Sequence, residues 1–389
     1  MKTIYFDNNA TTPIAPEVLD EMLPYLRELY GNPSSMHTFG GQLHRKIEEA
    51  RSRVAGLLGA EPEEIIFTSC GTESDNTALM SAVESVPHKK HIITSRVEHP
   101  AVLNFCKYLA RKGYRVTYLP VSKQGQLNGD ELVKVLDEDT AVVSLMYANN
   151  ESGVVFPVAE LGEMLKERGI LFHTDAVQAV GKIPIDLKKL PVDMLSLSGH
   201  KLHAPKGVGA LYVRKGARFH PYIIGGHQEH GRRAGTENVA SIIALGKACE
   251  LAGDKLSKEV IYLKGLRDKL ENALLKSCPD ARINGDVNSR LPNTTNISFE
   301  YVEGEAILLR LNEFGICASS GSACTSGSLE PSHVLRAMGV PATLIHGSIR
   351  FSLSRYNTEA EVDKVIEIMP PVIKELRQLS PFGRERIKK

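Results

Sequence analysis

Short apolar runs separated by amphipathic stretches fill the chain from about residue 42 to 215. Leu43, Ile47, Ala50, Val54 and Leu57 recur at intervals of three and four, which predicts one buried helical face. Seven runs follow: Ile65 to Phe67, His91 to Ile93, Val116 to Leu119, Ala141 to Met146, Ile170 to His173, Met194 to Leu197 and Val208 to Val213. Most are apolar at successive positions, as befits strands covered by helices on both faces. Val158, Leu161 and Leu165 mark a further helix, closed by Gly169. The pattern predicts an α/β fold around a mostly parallel, seven-stranded sheet.

Near Gly253-Asp254 the character changes. A charged helix is expected from about Ser257 to Leu275, then the alternating strands Thr295 to Phe299 and Ile349 to Leu353. Thr358-Glu359-Ala360-Glu361 is a capping-box sequence opening a last helix. That helix carries Val362, Ile366 and Met369 on one stripe and is expected to end before Pro370-Pro371. A smaller α+β unit results. Residues 13–254 are expected to form a large domain, and 1–12 with 255–389 a small one.

Composition narrows the function. Lys and Arg total 47 against 46 acidic residues, so overall charge favours neither nucleic acid nor an anionic membrane. Six cysteines without CxxC spacing argue against a zinc cluster and a disulfide framework, and for a reduced interior. No apolar leader and no run near the roughly 18 residues of a span is present, so a cytoplasmic protein is expected.

The chemistry gathers at run ends. Lys201 lies in Ser198-Gly199-His200-Lys201, Asp175 and Gln178 follow Ile170 to His173, and Gly71-Thr72 starts a helix after Ile65 to Ser69. An amine for the aldehyde, an acid for the ring nitrogen and donors for the phosphate are what pyridoxal 5'-phosphate requires. Ser198 and His200 add phosphate donors, His99 a proton-carrying imidazole, and Asn150 or Gln178 a donor to the phenolic oxygen. Arg350 offers a fork for a substrate α-carboxylate. Cys324, inside the small polar stretch Ala318 to Ser328, offers a sulfur on a segment with little to pack; Cys317, Cys70, Cys106, Cys249 and Cys278 read as buried structural thiols. Taken singly, each group has a plainer reading: a surface lysine or arginine, a helix cap, a loop histidine, an incidental thiol. His200 and His203 lack the nearby acidic cluster of a metal site.

Together these residues resemble the cysteine desulfurases, fold-type I pyridoxal phosphate-dependent transferases of the class V aminotransferase group. The resemblance runs nearly end to end, from Asp7-Asn8-Asn9-Ala10-Thr11-Thr12 through Thr68 to Ser74 and on to Ser348 to Leu353. Its most specific parts are Ser198-Gly199-His200-Lys201 and Ser319 to Ser326. His173 to Lys182 and Gly226 to Arg233 look most like the nitrogen-fixation (NifS-type) branch, although His230 stands where the family often has arginine. The resemblance implies a homodimer in which Thr236 reaches the phosphate of the partner subunit's cofactor, with Gly199 and its neighbours at the cofactor. It implies that Lys201 carries the cofactor and removes the α-proton of L-cysteine. Cys324, in a loop of about 318–330, would take the sulfur as a persulfide and leave L-alanine. The sulfur would pass to an iron–sulfur scaffold protein, with Cys324 as a transient ligand to iron. A selenocysteine lyase or a transaminase of the same fold is the nearest alternative, and a non-catalytic partner-binding scaffold a remote one.

Overall fold

All seven runs pair into one sheet. In the computed structural model, which describes residues 3–320 and 331–380, the strands in chain order are β1 (Ile4–Tyr5), β2 (Ile65–Thr68), β3 (His91–Ser95), β4 (Arg115–Leu119), β5 (Thr140–Ser144), β6 (Leu171–Asp175), β7 (Met194–Ser198) and β8 (Gly209–Val213). The rest are β9 (Ala281–Ile283), β10 (Thr294–Phe299), β11 (Ile316–Cys317) and β12 (Ser348–Ser352). The large sheet has the order β2-β8-β7-β6-β5-β3-β4. Only β8 runs against its neighbours; the pairs β7–β6, β6–β5, β5–β3 and β3–β4 are parallel. Strands β3, β5, β7 and β8 are buried at every residue, which is why their sequences do not alternate.

Apolar clusters cover both faces of this sheet. One joins Leu43, Ile47 and Val54 of the helix Thr38–Leu58 to Ile93, Val143 and Leu195; the other joins Leu79 and Leu109 to Ile92 and Val142. A separate core gathers Ile4, Phe6, Leu266, Phe299, Phe351, Val362 and Ile373 around β12-β10-β9. Residues 4–15 run from this core to the large sheet: Phe6 N donates to Cys317 O, Thr12 N to His200 O and Ala15 N to His203 O.

Two expected helix bounds are corrected. The helix expected from about Ser257 begins at Val239 and runs unbroken to Ser277, with Asn238 capping Ser241 N. Gly253 reads as a break in sequence, yet the stretch before it (Val239, Ile242, Ile243, Leu245) buries against the first core and holds the helix together. Likewise the last helix spans Glu359–Leu379, straight through Pro370 and Pro371. Met369, Val372 and Ile373 are buried there, and their packing outweighs the backbone bonds that the prolines remove. The capping box of Thr358 and Glu361 forms as the sequence predicts.

Close approach between two long helices sets the position of the first core. A Cβ at Gly246 would stand 2.7 Å from Ala50 Cα and Cβ, on the backbone of the helix Thr38–Leu58. Gly246→Leu should therefore cost about 1–3 kcal/mol through overpacking. Urea denaturation of the purified variant measures this; an unchanged midpoint would show that the helices can separate freely.

Candidate active site

Strands β2, β6 and β7 run the same way, so their carboxyl ends share one edge of the sheet, the usual place for a ligand in an α/β fold. A cavity of about 360 Å³ opens there, large enough for a small cofactor with substrate. The expected residues Gly71, Thr72, His99, Asn150, Asp175, Gln178, Ser198, His200, Lys201 and Arg350 all line it. Gly199 does not; it is a buried turn residue whose Cβ would meet Val208 Cγ1 at 2.9 Å. Thr236 is exposed and is not among the cavity's lining residues. Cys324 lies outside the described residues.

The amine is held first. Lys201 Nζ donates to Asn9 O at 2.7 Å and to Ala10 O at 2.6 Å. Asp175, the last residue of β6, is buried, and its Oδ1 accepts from Val177 N at 3.0 Å. Burial raises its carboxyl pKa, while His99 and Lys201 oppose the rise. A cation beside Asp175 would restore its charge.

The helix Gly71–Ser85 points its start at the same cavity. Its first bond is Ser74 N to Cys70 O, so the amides of Gly71, Thr72 and Glu73 precede the helical ladder. A Cβ at Gly71 would stand 2.8 Å from Val177 Cγ2 and 3.5 Å from Ser198 Cβ, so glycine lets the helix start sit against both. Glu73 anchors this turn: it accepts from Ser69 N at 2.9 Å and pairs with Arg233 Nε at 2.8 Å. Free amides, the Thr72 hydroxyl and Ser198 form a fitting anion cradle. The amine, the buried carboxylate and the cradle around one cavity fit pyridoxal phosphate.

His99 caps the helix Pro100–Arg111, its Nδ1 accepting from Ala101 N at 3.2 Å. Burial lowers its pKa, and the imidazole is kept neutral with Nε2 carrying the hydrogen. Arg350 alternates with Ile349 and Phe351, which enter the smaller core, and is nevertheless buried like every residue of β12. The reason is that the segment Asp7–Asn9 packs alongside β12: Arg350 Nη2 meets Asp7 Oδ1 at 2.6 Å and Nη1 donates to Asn150 O at 3.1 Å. Its Nε has no partner among the described residues.

Several site residues escaped the sequence reading. Asp75 lines the cavity, fully buried; among the described residues its Oδ1 has no hydrogen-bond partner, and it stands 3.6 Å from His173 Nε2. Burial and then Asp175 raise its pKa well above the carboxylate range, and burial pushes His173 down to about 3, so no cation answers it. Asn9, quoted only as part of a motif, proves central. Cys70 is a correction too: it is half-buried on the cavity wall, as Cys317 is half-buried elsewhere, whereas Cys106, Cys249 and Cys278 are buried as expected. Only the neighbouring Gly71-Thr72 could have flagged Cys70.

The residues on either side of 321–330 are tied around the cavity. Ser319 N donates to Arg350 O at 3.2 Å, and Arg350 N to Ser319 O at 2.6 Å. Beyond the gap, Ser332 Oγ donates to Glu151 Oε2 at 2.5 Å and His333 Nε2 meets Glu98 O at 2.9 Å.

Comparison with known proteins supplies relatives for this arrangement. The family model for class V aminotransferases matches residues 4–365. A cysteine desulfurase of Trichormus azollae is 63% identical over 385 residues, covering 99% of this chain and 96% of the relative. Cysteine desulfurase NifS of Azotobacter vinelandii is 58% identical, covering 98% of this chain and 95% of its own length. A solved NifS-like protein superposes with a TM-score of 0.90 at 43% identity, over 96% of this chain and 99% of that one.

Next to His99, burial moves the Glu98 carboxyl from its ordinary 4.5 to about 8, against hydrogen bonds from Ser95 and Met146. Between these values the folded chain keeps a proton that the unfolded chain has lost. This group's contribution to stability is thus full below about pH 4.5 and falls as pH rises towards 8, by up to ~1.36 kcal/mol per unit. Glu98→Gln should flatten that fall, and denaturation of parent and variant across the window measures it. A stability difference independent of pH would refute the assignment.

Proposed function

The chain belongs to the class V aminotransferase family, and on that premise we propose that it is a pyridoxal phosphate-dependent cysteine desulfurase. It removes sulfur from L-cysteine and releases L-alanine. The convergence of Lys201, Asp175, Gly71-Thr72, His99 and Arg350 on one cavity carries this reading.

Pyridoxal phosphate, when bound, supplies an aldehyde for the substrate's nitrogen and an electron sink for the bond broken at Cα. Lys201 holds that aldehyde at rest, and its freed amine takes the α-proton. Asp175 keeps a proton on the ring nitrogen, because opposite charge within a buried site favours the ionised carboxylate. Gly71, Thr72, Ser198 and His200 hold the phosphate. Arg350, already oriented by Asp7 and the Asn150 carbonyl, has its unpartnered Nε to offer a substrate carboxylate. His99 carries protons between substrate and solvent.

Cys324 is the sulfur acceptor in this proposal. Its thiolate attacks the substrate sulfur; the C–S bond breaks as the S–S bond forms, the electron pair left on Cβ takes a proton, and Lys201 returns a proton to Cα to complete alanine. The ties of Ser319 to Arg350 and of His333 to Glu98 support this, since they set the flanking chain at the cavity. The same proposal includes a homodimer with Thr236 serving the partner's cofactor. It also includes delivery of sulfur to an iron–sulfur scaffold, where Cys324 touches iron transiently. Among the described residues no helix is long and apolar enough to cross a membrane, and a cytoplasmic setting suits the reduced thiols.

Lys201→Ala should abolish alanine formation from cysteine. Cys324→Ala should bind pyridoxal phosphate and stay yellow, yet show no added sulfur atom by mass spectrometry after exposure to cysteine. Sulfur delivery by Cys324→Ala at the parent rate would overturn the nucleophile. Turnover of a keto acid without sulfide or persulfide would mark a transaminase instead.

A further inference from the structure

We propose that Lys182 is a positioning residue that fixes the amide of Gln178, and so decides which end of that amide meets the bound cofactor. The proposal deepens the reading of the cavity as a pyridoxal phosphate site and rests on it.

Lys182 follows Gly181, whose φ of 72° suits glycine and whose Cβ would stand 2.4 Å from Leu202 Cδ2. The turn sends the lysine inward. Its Nζ donates to Gln178 Oε1 at 2.6 Å and to Asn9 Oδ1 at 3.2 Å. It pairs with no carboxylate among the described residues: Glu259, across a small cavity that Lys182 also lines, is held by Arg355 Nε at 2.9 Å. Burial, then Lys201 and Arg350, hold its basicity well below that of an ordinary lysine.

A glutamine amide is nearly symmetric in shape and opposite in chemistry, one end accepting and the other donating twice. A lysine ammonium has only donors, so its contact with Oε1 excludes the flipped amide. Nε2 is thereby turned the other way and donates one hydrogen to Asn9 O at 3.0 Å. Its second hydrogen remains on the side where Gln178 lines the cavity, available to a phenolic oxygen. Asn9 O also accepts from Lys201 Nζ at 2.7 Å. Lys182 therefore braces the donor to the phenolic oxygen and the carbonyl beside the reactive amine at once. Packing alone asks for no amine here, since methionine would fill the same volume without a buried polar atom.

The test uses full-length protein loaded with pyridoxal 5'-phosphate and follows its visible absorbance as pH is varied. A donor to the phenolic oxygen stabilises the anion there and weakens its hold on the neighbouring proton. Lys182→Met frees the Gln178 amide to flip, so the absorbance midpoint should move up by about one pH unit, as for loss of a hydrogen bond to a charged group. The other ionisable groups lining the cavity with Lys201, namely Cys70, Asp75, His99, Asp175, His200 and Arg350, are unchanged in the variant. In a Gln178→Ala background the same substitution should add no further shift, because its effect runs through that amide. Lys182→Leu carries the same expectation should the methionine variant fail to fold. A loaded parent with unmoved variants, or an equal shift without Gln178, overturns the proposal alone. A parent that takes up no pyridoxal phosphate overturns the functional reading together with it.

Discussion

An amine held between two main-chain carbonyls is the constraint on which the site depends. Asn9 O and Ala10 O, which receive Lys201 Nζ, belong to a segment shared between the two bodies of the molecule. Asn9 N donates to Ser352 Oγ and its Nδ2 to Thr294 Oγ1, both on strands of the smaller sheet. The same residue accepts from Gln178 and Lys182 on the larger side. Every polar atom of Asn9 is engaged, and a buried amide left half-satisfied would cost more than its bonds return. The reactive lysine is thus placed only when both cores have assembled around one asparagine.

Burial sets the charge pattern of the cavity. Asp75 and Asp175 are both pushed upward, and the nearby His173 is too desolvated to answer them with a charge. Lys201 and Arg350 line the same cavity, with Lys182 behind Gln178; Arg350 has Asp7 and Lys182 has only neutral oxygens. Such a cavity is short of one cation beside Asp175 and one anion beside Gly71-Thr72. A ring nitrogen and a phosphate supply both, and desolvation makes each pairing stronger than it would be in water.

Glycine and tight turns bring the walls together. Gly71 allows the helix start to touch Ser198, Gly181 turns Lys182 inward, and the pair of Glu73 with Arg233 ties the cradle to the loop bearing Thr236. Arg51 and Glu229 reinforce that loop from beneath, 2.7 Å apart and both buried. Breaking such a pair strands a charge in a low-dielectric interior, so it holds the loop in one arrangement.

The seven runs were legible as strands because a strand buried on both faces needs apolar residues at every position, and no helix of that length has such a need. Lys201, Asp175 and Gly71-Thr72 were legible because each follows such a run directly, which places it at a strand end before any coordinate is known. Local order along the chain determined those elements and the chemistry at their tips. Asn9, Asp75 and Lys182 belong to a different class. Asn9 lies beside Lys201 in space but 192 positions away in sequence, and neither periodicity nor composition records which buried groups face each other. The helix through Gly253 and the one through Pro370-Pro371 were misjudged for the same cause: packing against a distant core outweighed a local breaker. Only the tertiary structure decided these, because burial and partnership are properties of the assembled interior rather than of any stretch of chain.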